Sequence, residues 1–291
     1  MFDTEVWLRH APELHAYDYF GVLIAVALLE WIVPRRSAGD SPGQRWMANF
    51  GATIITGALL RLLFPAAGLA LALVCADRGW GLFNRLDAPG WLAFAVCVLA
   101  LDFATYTQHY LLHRFPVLWR IHRMHHTDQE YDFSTGARFH PLEAFYSTAM
   151  ISGAIVLLGA PPAAVLVSQL LTTAANFIEH ANVRLPKRLD SLLRLVFVTP
   201  DMHRIHHSRD SRESRSNFAN IFSWWDRLFG TYIAQPAAGH DGMQFGVPGF
   251  LERKHMRLSW MLVEPFLAKD DGTGRSRRPS GTPGDAARQE H

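Results

Sequence analysis

Histidines form two nearly identical clusters in this chain, in the runs "LWRIHRMHH" at 118–126 and "PDMHRIHH" at 200–207. Both have the pattern His-x-x-His-His, and a His-x-x-x-His pair precedes them. On a helix, side chains three and four positions apart share a face, so each cluster directs its imidazoles into one volume. That geometry suits a divalent metal ion. The clustered residues are His109, His113, His122, His125, His126, His203, His206 and His207, with His140 and His180 standing singly between them.

Chance does not explain this pattern. With 15 histidines among 291 residues, fewer than about 0.1 matches to His-x-x-His-His are expected. A catalytic zinc ion takes about three protein ligands, so eight or more imidazoles indicate two metal ions, and each of the similar clusters could supply one side of a dinuclear centre. The remaining histidines are expected to be helix caps or surface residues: His10, His15, His240, His255 and His291.

The elements that position these clusters are predicted to be membrane helices. Hydrophobic residues make up 49% of the chain and charged residues 19%, and the apolar residues form long blocks. A break is expected at "GAPP", 159–162, where a hairpin through 144–178 would turn, and Phe64-Pro65 could kink or split the second block. The four apolar regions are Tyr19 to Pro34, Phe50 to Ala76, Gly90 to about Leu112, and Glu143 to Ile178.

Charge and cysteine usage exclude several functions. The net charge is only +2, so nucleic acid is not an expected partner. Cys75 and Cys97 lie in apolar blocks outside any C-x-x-C spacing, and we expect them to be small core residues. The first sixteen residues lack the pattern of a cleavable signal peptide.

Loop charges predict the orientation. The loop at 35–47 and the stretch 114–138 are basic, which places them in the cytoplasm by the positive-inside rule. We therefore expect an all-α protein of the inner membrane, with its N-terminus outside and every histidine cluster at the cytoplasmic face. Its expected segments are an extracytoplasmic segment at 1–16, a transmembrane region at 17–181, a cytoplasmic helical cap at 182–267 and a disordered tail at 268–291.

A metal pair above apolar helices is positioned for a substrate whose tail lies in lipid. Hydrolysis usually places a carboxylate base beside the metal, as in H-E-x-x-H, and no glutamate occurs inside these clusters. Oxygen activation remains, with iron as the natural metal, although imidazole also suits Zn, Cu and Ni. Zinc can replace iron in purified protein.

The residues around the clusters carry a resemblance. The run "DFATYTQHYLLHRFPVLWRIHRMHHTDQEYDFSTGARFHPLE", followed by "TPDMHRIHHSRD" and "NFANIFSWWDRLFGTY", resembles the sterol desaturase and fatty acid hydroxylase superfamily of integral-membrane di-iron proteins. The resemblance covers about residues 95–235. It implies two iron ions, O2 as co-substrate and a lipid substrate, and it makes the eight clustered histidines metal ligands with His180 as a further one.

The same resemblance assigns supporting roles. Some members of the superfamily have a His-x-x-x-His pair before the last cluster, where this chain has Asn176-x-x-x-His180, so the ligand set is one short or Asn176 acts through a water. His140 is interpreted as a residue that supports a ligand. Trp225 and Asp226 match a structural motif that packs the cap under the site.

Some features leave alternatives open. Asp102 is costly within a span, and it could orient a ligand, hold Arg61 or form an interhelical hydrogen bond. Trp119, Trp224 and Trp225 are interpreted as interfacial or cap-core residues.

The leading hypothesis is a lipid hydroxylase or desaturase that receives electrons from a separate redox protein, because the sequence has no nucleotide, flavin or haem motif. Hydroxylation is favoured over sterol desaturation; the substrate and the oligomeric state stay undetermined. The alternatives are a dinuclear zinc hydrolase, which would use Glu143 or Glu179 as its base, and a histidine-rich metal transport protein.

Overall fold

The computed structural model describes residues 4–37 and 42–267, and the regular secondary structure of these residues is helical apart from two isolated β-bridges. Short 3₁₀ turns lie at Phe133–Ala137, Glu213–Arg215, Arg253–Met256 and Glu264–Phe266. The α-helices are α1 (Thr4–Arg9), α2 (Ala11–Ile32), α3 (Pro42–Leu63), α4 (Leu69–Arg78), α5 (Gly90–Arg114), α6 (Pro116–His126), α7 (Pro141–Leu158), α8 (Pro162–Glu179), α9 (Lys187–Leu193), α10 (Pro200–His206), α11 (Trp224–Leu228), α12 (Gly239–Gly242) and α13 (Leu258–Val263).

Four of the described helices, α2, α3, α5 and α7, are long and apolar enough to cross a bilayer. Large apolar side chains on α2 face outward, among them Trp31 at 82% exposure and Ile32 at 64%. Such exposure is unfavourable in water and ordinary in lipid. The composition therefore correctly predicted a helical integral membrane protein. The expected tail at 268–291 lies outside the described residues.

Near prolines, the helices begin and end at other residues than the predicted apolar blocks do. The second block is split, because α3 ends at Leu63 and α4 begins only at Leu69; Pro65 lacks an N–H and disfavours helix in the residue before it. The first span begins at Ala11, eight residues earlier than expected, with Pro12 in its first turn. α3 begins at Pro42, inside the predicted loop at 35–47.

The fourth block forms two helices. α7 ends at Gly159, which has φ +61°, and α8 begins with Pro162 in its first turn. A Cβ on Gly159 would lie 2.6 Å from the carbonyl oxygen of Trp80, so only glycine fits where this turn meets the segment after α4. These turns lie at the end of the bundle opposite the histidines.

The bend between α5 and α6 brings two histidine clusters together. Phe115 is extended, at φ −104° and ψ 125°, and Pro116 opens α6. The pre-proline preference for extended backbone ends α5 there. As a result, α6 packs back against α5 and lies beside the first turn of α7.

Two apolar cores hold the bundle together. One joins α4, α5, α7 and α8 and contains Cys97, Leu101 and Ile155; the other joins α2 to α8 around Val26 and Phe177. Cys75 and Cys97 are free and buried, as their positions in apolar blocks predicted.

Residues 182–267, called the C-terminal cap from here on, cover the histidine end of the bundle. Asp102 of α5 anchors the cap, because its carboxylate accepts the backbone N–H groups of Ile221 and Phe222, each at 3.2 Å, and the indole N–H of Trp225 at 2.8 Å. Asp102 thus bonds to cap backbone and does not hold Arg61.

Candidate metal centre

Nine histidines converge in two adjacent groups. Within each group, the ligand nitrogens all lie within 4.8 Å of one another. The first histidine group contains His109, His113, His122, His126 and His206, and the second histidine group contains His125, His180, His203 and His207.

Four elements supply these side chains. α5 contributes His109 and His113 near its C-terminus, α6 contributes its three histidines, His180 is the C-cap of α8, and α10 with its C-cap His207 contributes the last three. Proline in the first turn of α6, α8 and α10 starts each helix at a fixed residue. The histidines of each cluster therefore project from helices whose starting residues are set by proline.

Each His-x-x-His-His cluster contributes to both groups, contrary to the expectation that each would supply one side. In α6 the outer pair His122 and His126 joins the first group, and the middle residue His125 joins the second. In α10 the assignment is reversed: His203 and His207 join the second group and His206 the first. The reason is angular, since helix positions i and i+4 point nearly the same way whereas i+3 points about 60° to one side.

Hydrogen bonds orient the imidazoles with Nε2 inward. His109, His206 and His180 donate from Nδ1 to the carbonyl oxygens of Phe218, Ser216 and Asn176, at 2.9, 2.7 and 2.6 Å. A carbonyl only accepts, so each of these Nδ1 atoms carries the proton and each Nε2 is left as a lone-pair donor for a metal.

The second group shows most clearly that a cation fits. The Nε2 atoms of His125 and His180 lie 3.1 Å apart, although both rings donate from Nδ1 to carbonyls, at 3.3 and 2.6 Å. Burial lowers the pKa of His180 to about 3 and the pKa of His125 well below its ordinary value. Two neutral imidazoles thus face each other lone pair to lone pair, an arrangement that a shared cation stabilises. Two ligands each ~2.0–2.1 Å from one metal lie about 3 Å apart.

Several buried nitrogens also lack a hydrogen-bond partner among the described residues. They are the Nε2 atoms of His109, His113, His203 and His206. Buried polar atoms are normally paired, so their convergence on two points fits two bound ions.

Two buried glutamates support the imidazoles. Oε1 of Glu143 accepts from Nδ1 of His122 at 2.6 Å. Glu179 accepts from Asn220 at 3.0 Å and lies 3.8 Å from Nδ1 of both His180 and His203. The sequence had suggested both glutamates only as hydrolytic bases; their roles beside histidine depend on tertiary contacts that no local motif shows.

The other candidates lie outside the two groups. His140 caps α7, where its Nδ1 accepts from the N–H of Leu142 and its Nε2 donates to the carbonyl of Leu262, both at 3.1 Å. Asn176 donates to the carbonyl of Gly136 at 2.7 Å, and the second group has one histidine fewer than the first. His10 is exposed and His15 partly so.

The surface interpretation was wrong for two histidines. His255 is fully buried and His240 is 7% exposed, because the C-terminal cap folds over residues that an isolated helix end would leave in solvent. His291 lies outside the described residues.

Aromatic residues close the outer side of the centre. Trp119 is buried with its ring 4.9 Å from His113 and 5.3 Å from His126, and Trp224 and Trp225 lie in the cap. Tyr131, which no motif in the sequence indicated, is buried with its ring 5.2 Å from that of His207 and donates to the carbonyl of Glu179 at 2.6 Å.

A cavity of about 440 Å³ opens on the inner side of the histidines, between α3, α5, α7 and α8. Five histidines reach it: His109, His122, His125, His180 and His203. Apolar side chains line much of it, and hydroxyl and amide groups are interspersed: Thr53, Thr56, Gln108, Ser147, Thr148, Thr172, Thr173 and Asn176. The cavity can place a largely apolar molecule with some polar groups against both histidine groups.

Comparisons with known proteins agree with this site. Residues 94–231 match the fatty acid hydroxylase family. The alkylglycerol monooxygenase of Caenorhabditis elegans is 29% identical over 197 residues, which cover 66% of this chain and 37% of that protein. The ornithine lipid hydroxylase OlsE of Rhizobium tropici is 27% identical over 261 residues, covering 86% and 75% of the two chains.

A cholesterol 25-hydroxylase-like protein of Danio rerio is 28% identical over 152 residues, covering half of this chain and 59% of its own. The chain thus spans little more than a third of the worm protein but three quarters of OlsE. No solved structure shows a significant match. The matched region contains all nine histidines, so residues 94–231 carry a fatty acid hydroxylase domain, in agreement with the resemblance to the sterol desaturase and fatty acid hydroxylase superfamily.

Proposed function

We propose that this protein is a membrane-bound, O2-dependent hydroxylase of a lipid, with two iron ions held by the nine histidines. The observation that carries the proposal is the position of the two histidine groups, directly above a cavity enclosed by apolar helices. The relatives support it, since their names describe lipid hydroxylases and monooxygenases.

Iron bound by both groups would activate O2 so that it can attack an unactivated C–H bond. Insertion of one oxygen atom reduces the other to water and consumes two electrons and two protons, and a separate redox protein would provide the electrons. The chain's own part is positional: carbonyls and Glu143 fix the imidazole tautomers, while Trp119 and Tyr131 exclude water from the outer side.

Hydroxylation fits better than desaturation because the relatives are named for it. The polar side chains in the cavity also suit a lipid whose reacting carbon lies close to its polar head.

We place the centre at the cytoplasmic face of the inner membrane, with the N-terminus outside. The ends of α2, α5 and α8 and the starts of α3 and α7 share the histidine end of the bundle, and the basic stretches flank that end.

A dinuclear zinc hydrolase is the rival from another class. It needs a carboxylate that activates water at the metal, whereas Oε1 of Glu143 accepts from His122 and Oε1 of Glu179 accepts from Asn220, so both carboxylates are oriented by neighbouring side chains. Metal transport would favour ligands spread through the spans, and here the histidines gather at one end.

The test is a comparison of lipid extracts from cells grown under heavy-isotope O2, which express either the wild type or His125→Ala/His206→Ala. One member of each histidine group is removed in the variant. A lipid that gains labelled oxygen only with the wild type supports hydroxylation, and a loss of two hydrogens without label indicates desaturation. If no lipid changes although the protein holds iron and a donor is present, the proposal is wrong.

A further inference from the structure

Arg61 stands apart from the other charged residues of α3. It lies near the end of an apolar helix, its side chain is exposed, and among the residues that the structure describes no carboxylate or carbonyl pairs with it. By contrast, Arg45 on the same helix binds Asp128 and Asp132. An unpaired cation on a membrane helix is costly unless it meets an anion or water.

A groove on the outside of α3 leads past this arginine. We call it the lateral groove. Its volume is about 650 Å³, and its lining residues are Thr53, Ile54, Gly57, Ala58, Arg61 and Leu62. Thr53 and Gly57 also line the cavity below the histidines. The two spaces therefore adjoin along one face of α3.

Gly57 keeps the wall between them thin. No heavy atom lies within 4 Å of the position that a Cβ at Gly57 would take. Thr53 and Thr56, in the turn that precedes Gly57, hold the helix in place, since their hydroxyls donate to the carbonyls of Ala137 and Phe139 at 2.6 and 3.3 Å. A flexible chain can thus pass at Gly57 while α3 stays in place.

Arg61 lies on the part of α3 that runs beside the first turns of α7. Arg61 follows Thr56 by ~7.5 Å of helix rise, and Phe64, one turn further on, contacts Phe145 in the second turn of α7 at 5.8 Å between ring centroids. α7 begins beside the histidines, with Glu143 bonded to His122. An anion at Arg61 would therefore lie beside the first turns of α7, the helix whose Glu143 bonds to His122.

We propose that the lateral groove is the entrance for the substrate from the bilayer, and that Arg61 selects a lipid with an anionic head group. This inference rests on the proposed function for its identification of the inner cavity as the substrate site. The head group would stay at Arg61 while the carbons next to it pass Gly57 toward His122 and His125.

Photo-crosslinking tests the proposal without requiring catalysis. The full chain, in neutral maltoside micelles, is irradiated with photoactivatable phosphatidylglycerol or with diacylglycerol bearing the same acyl chains, and labelled peptides are identified by mass spectrometry. We expect crosslinking of phosphatidylglycerol to residues 53–62 and to the cavity wall to exceed that of diacylglycerol about fivefold, because the attraction of one arginine for an anionic lipid corresponds to about that ratio. Arg61→Gln should abolish the preference and Arg61→Lys should keep part of it.

The matched control is Arg78→Gln, which removes an exposed arginine at the end of α4 and should leave the preference unchanged. Gly57→Phe should lower cavity labelling by both lipids. Equal labelling of the wild type by the two lipids, or an undiminished preference in Arg61→Gln, would overturn the inference. Labelled oxygen in a cellular lipid bears on the proposed function alone, so the two ideas fail separately.

Discussion

The Nε2 atoms of His125 and His180 lie 3.1 Å apart, and both rings donate hydrogen bonds from Nδ1–H to backbone carbonyls. His207 completes the same arrangement, with its Nε2 also 3.1 Å from that of His180. A cation between them would stabilise lone pairs held this close in a buried site, so we expect the fold of the chain and its metal content to be linked.

Glu143 is expected to strengthen metal binding through His122. Glu143→Leu removes the acceptor of the Nδ1 proton, and loss of such a partner typically weakens metal binding about 10–100-fold. Glu143→Gln keeps an oxygen acceptor and should lose less. Metal retained during dialysis against a competing chelator measures the effect, and full retention by Glu143→Leu would show that this hydrogen bond does not matter.

Asp102 is expected to hold the C-terminal cap on the bundle. Asp102→Ala leaves three donors without their acceptor, at about 1–3 kcal/mol each, so the free energy of unfolding should fall by at least about 3 kcal/mol. Asp102→Asn should cost less, and Asp77→Asn, at an exposed carboxylate on α4, should cost nothing. Thermal unfolding in detergent gives the comparison; an Asp102→Ala protein with the wild-type Tm would contradict this role.

Asp128 makes a pH-dependent contribution to stability. Burial alone would raise its pKa, but the charges of Arg45 and Arg138 outweigh burial and lower the pKa below its ordinary value. A lowered carboxylate pKa stabilises the fold at pH above the unfolded value of about 3.9, and this stabilisation is lost as pH falls through the folded pKa.

The difference in Tm between the wild type and Asp128→Asn should therefore be constant from about pH 5 to 8 and shrink below about pH 4. Using the difference cancels the titration of other groups. A difference that grew on acidification would show that the ion pair with Arg45 is not the cause.

The cavity can be filled without touching a metal ligand. Ala144 lines it, so Ala144→Phe should displace the substrate and lower product on the order of a hundredfold, with the metal content unchanged. Ala149→Phe adds the same ring to an exposed position of α7 and should leave activity intact. Equal activity of the two variants would mean that the substrate binds elsewhere.

Local sequence patterns predicted much of the secondary structure and many of the site residues. They did not predict the features that depend on tertiary contacts. Histidine spacing and apolar blocks were enough to predict the helical membrane bundle and the residues that converge. They did not show that each cluster divides between both groups, because that depends on how α6 faces α10. The partners of Asp102 lie about 120 positions away in the chain, and the burial of His255 requires the folded cap.

Metal stoichiometry tests the central claim most directly. Elemental analysis of the purified protein should give about two ions per chain, counting iron and zinc together. Reducing one group to two histidines, by His109→Ala/His113→Ala/His206→Ala or by His125→Ala/His180→Ala, should leave about one ion, whereas His10→Ala, at an exposed histidine outside both groups, should leave two. A wild type that binds a single ion, or either of these multiple variants still binding two, would contradict the dinuclear centre on which the proposed hydroxylation depends.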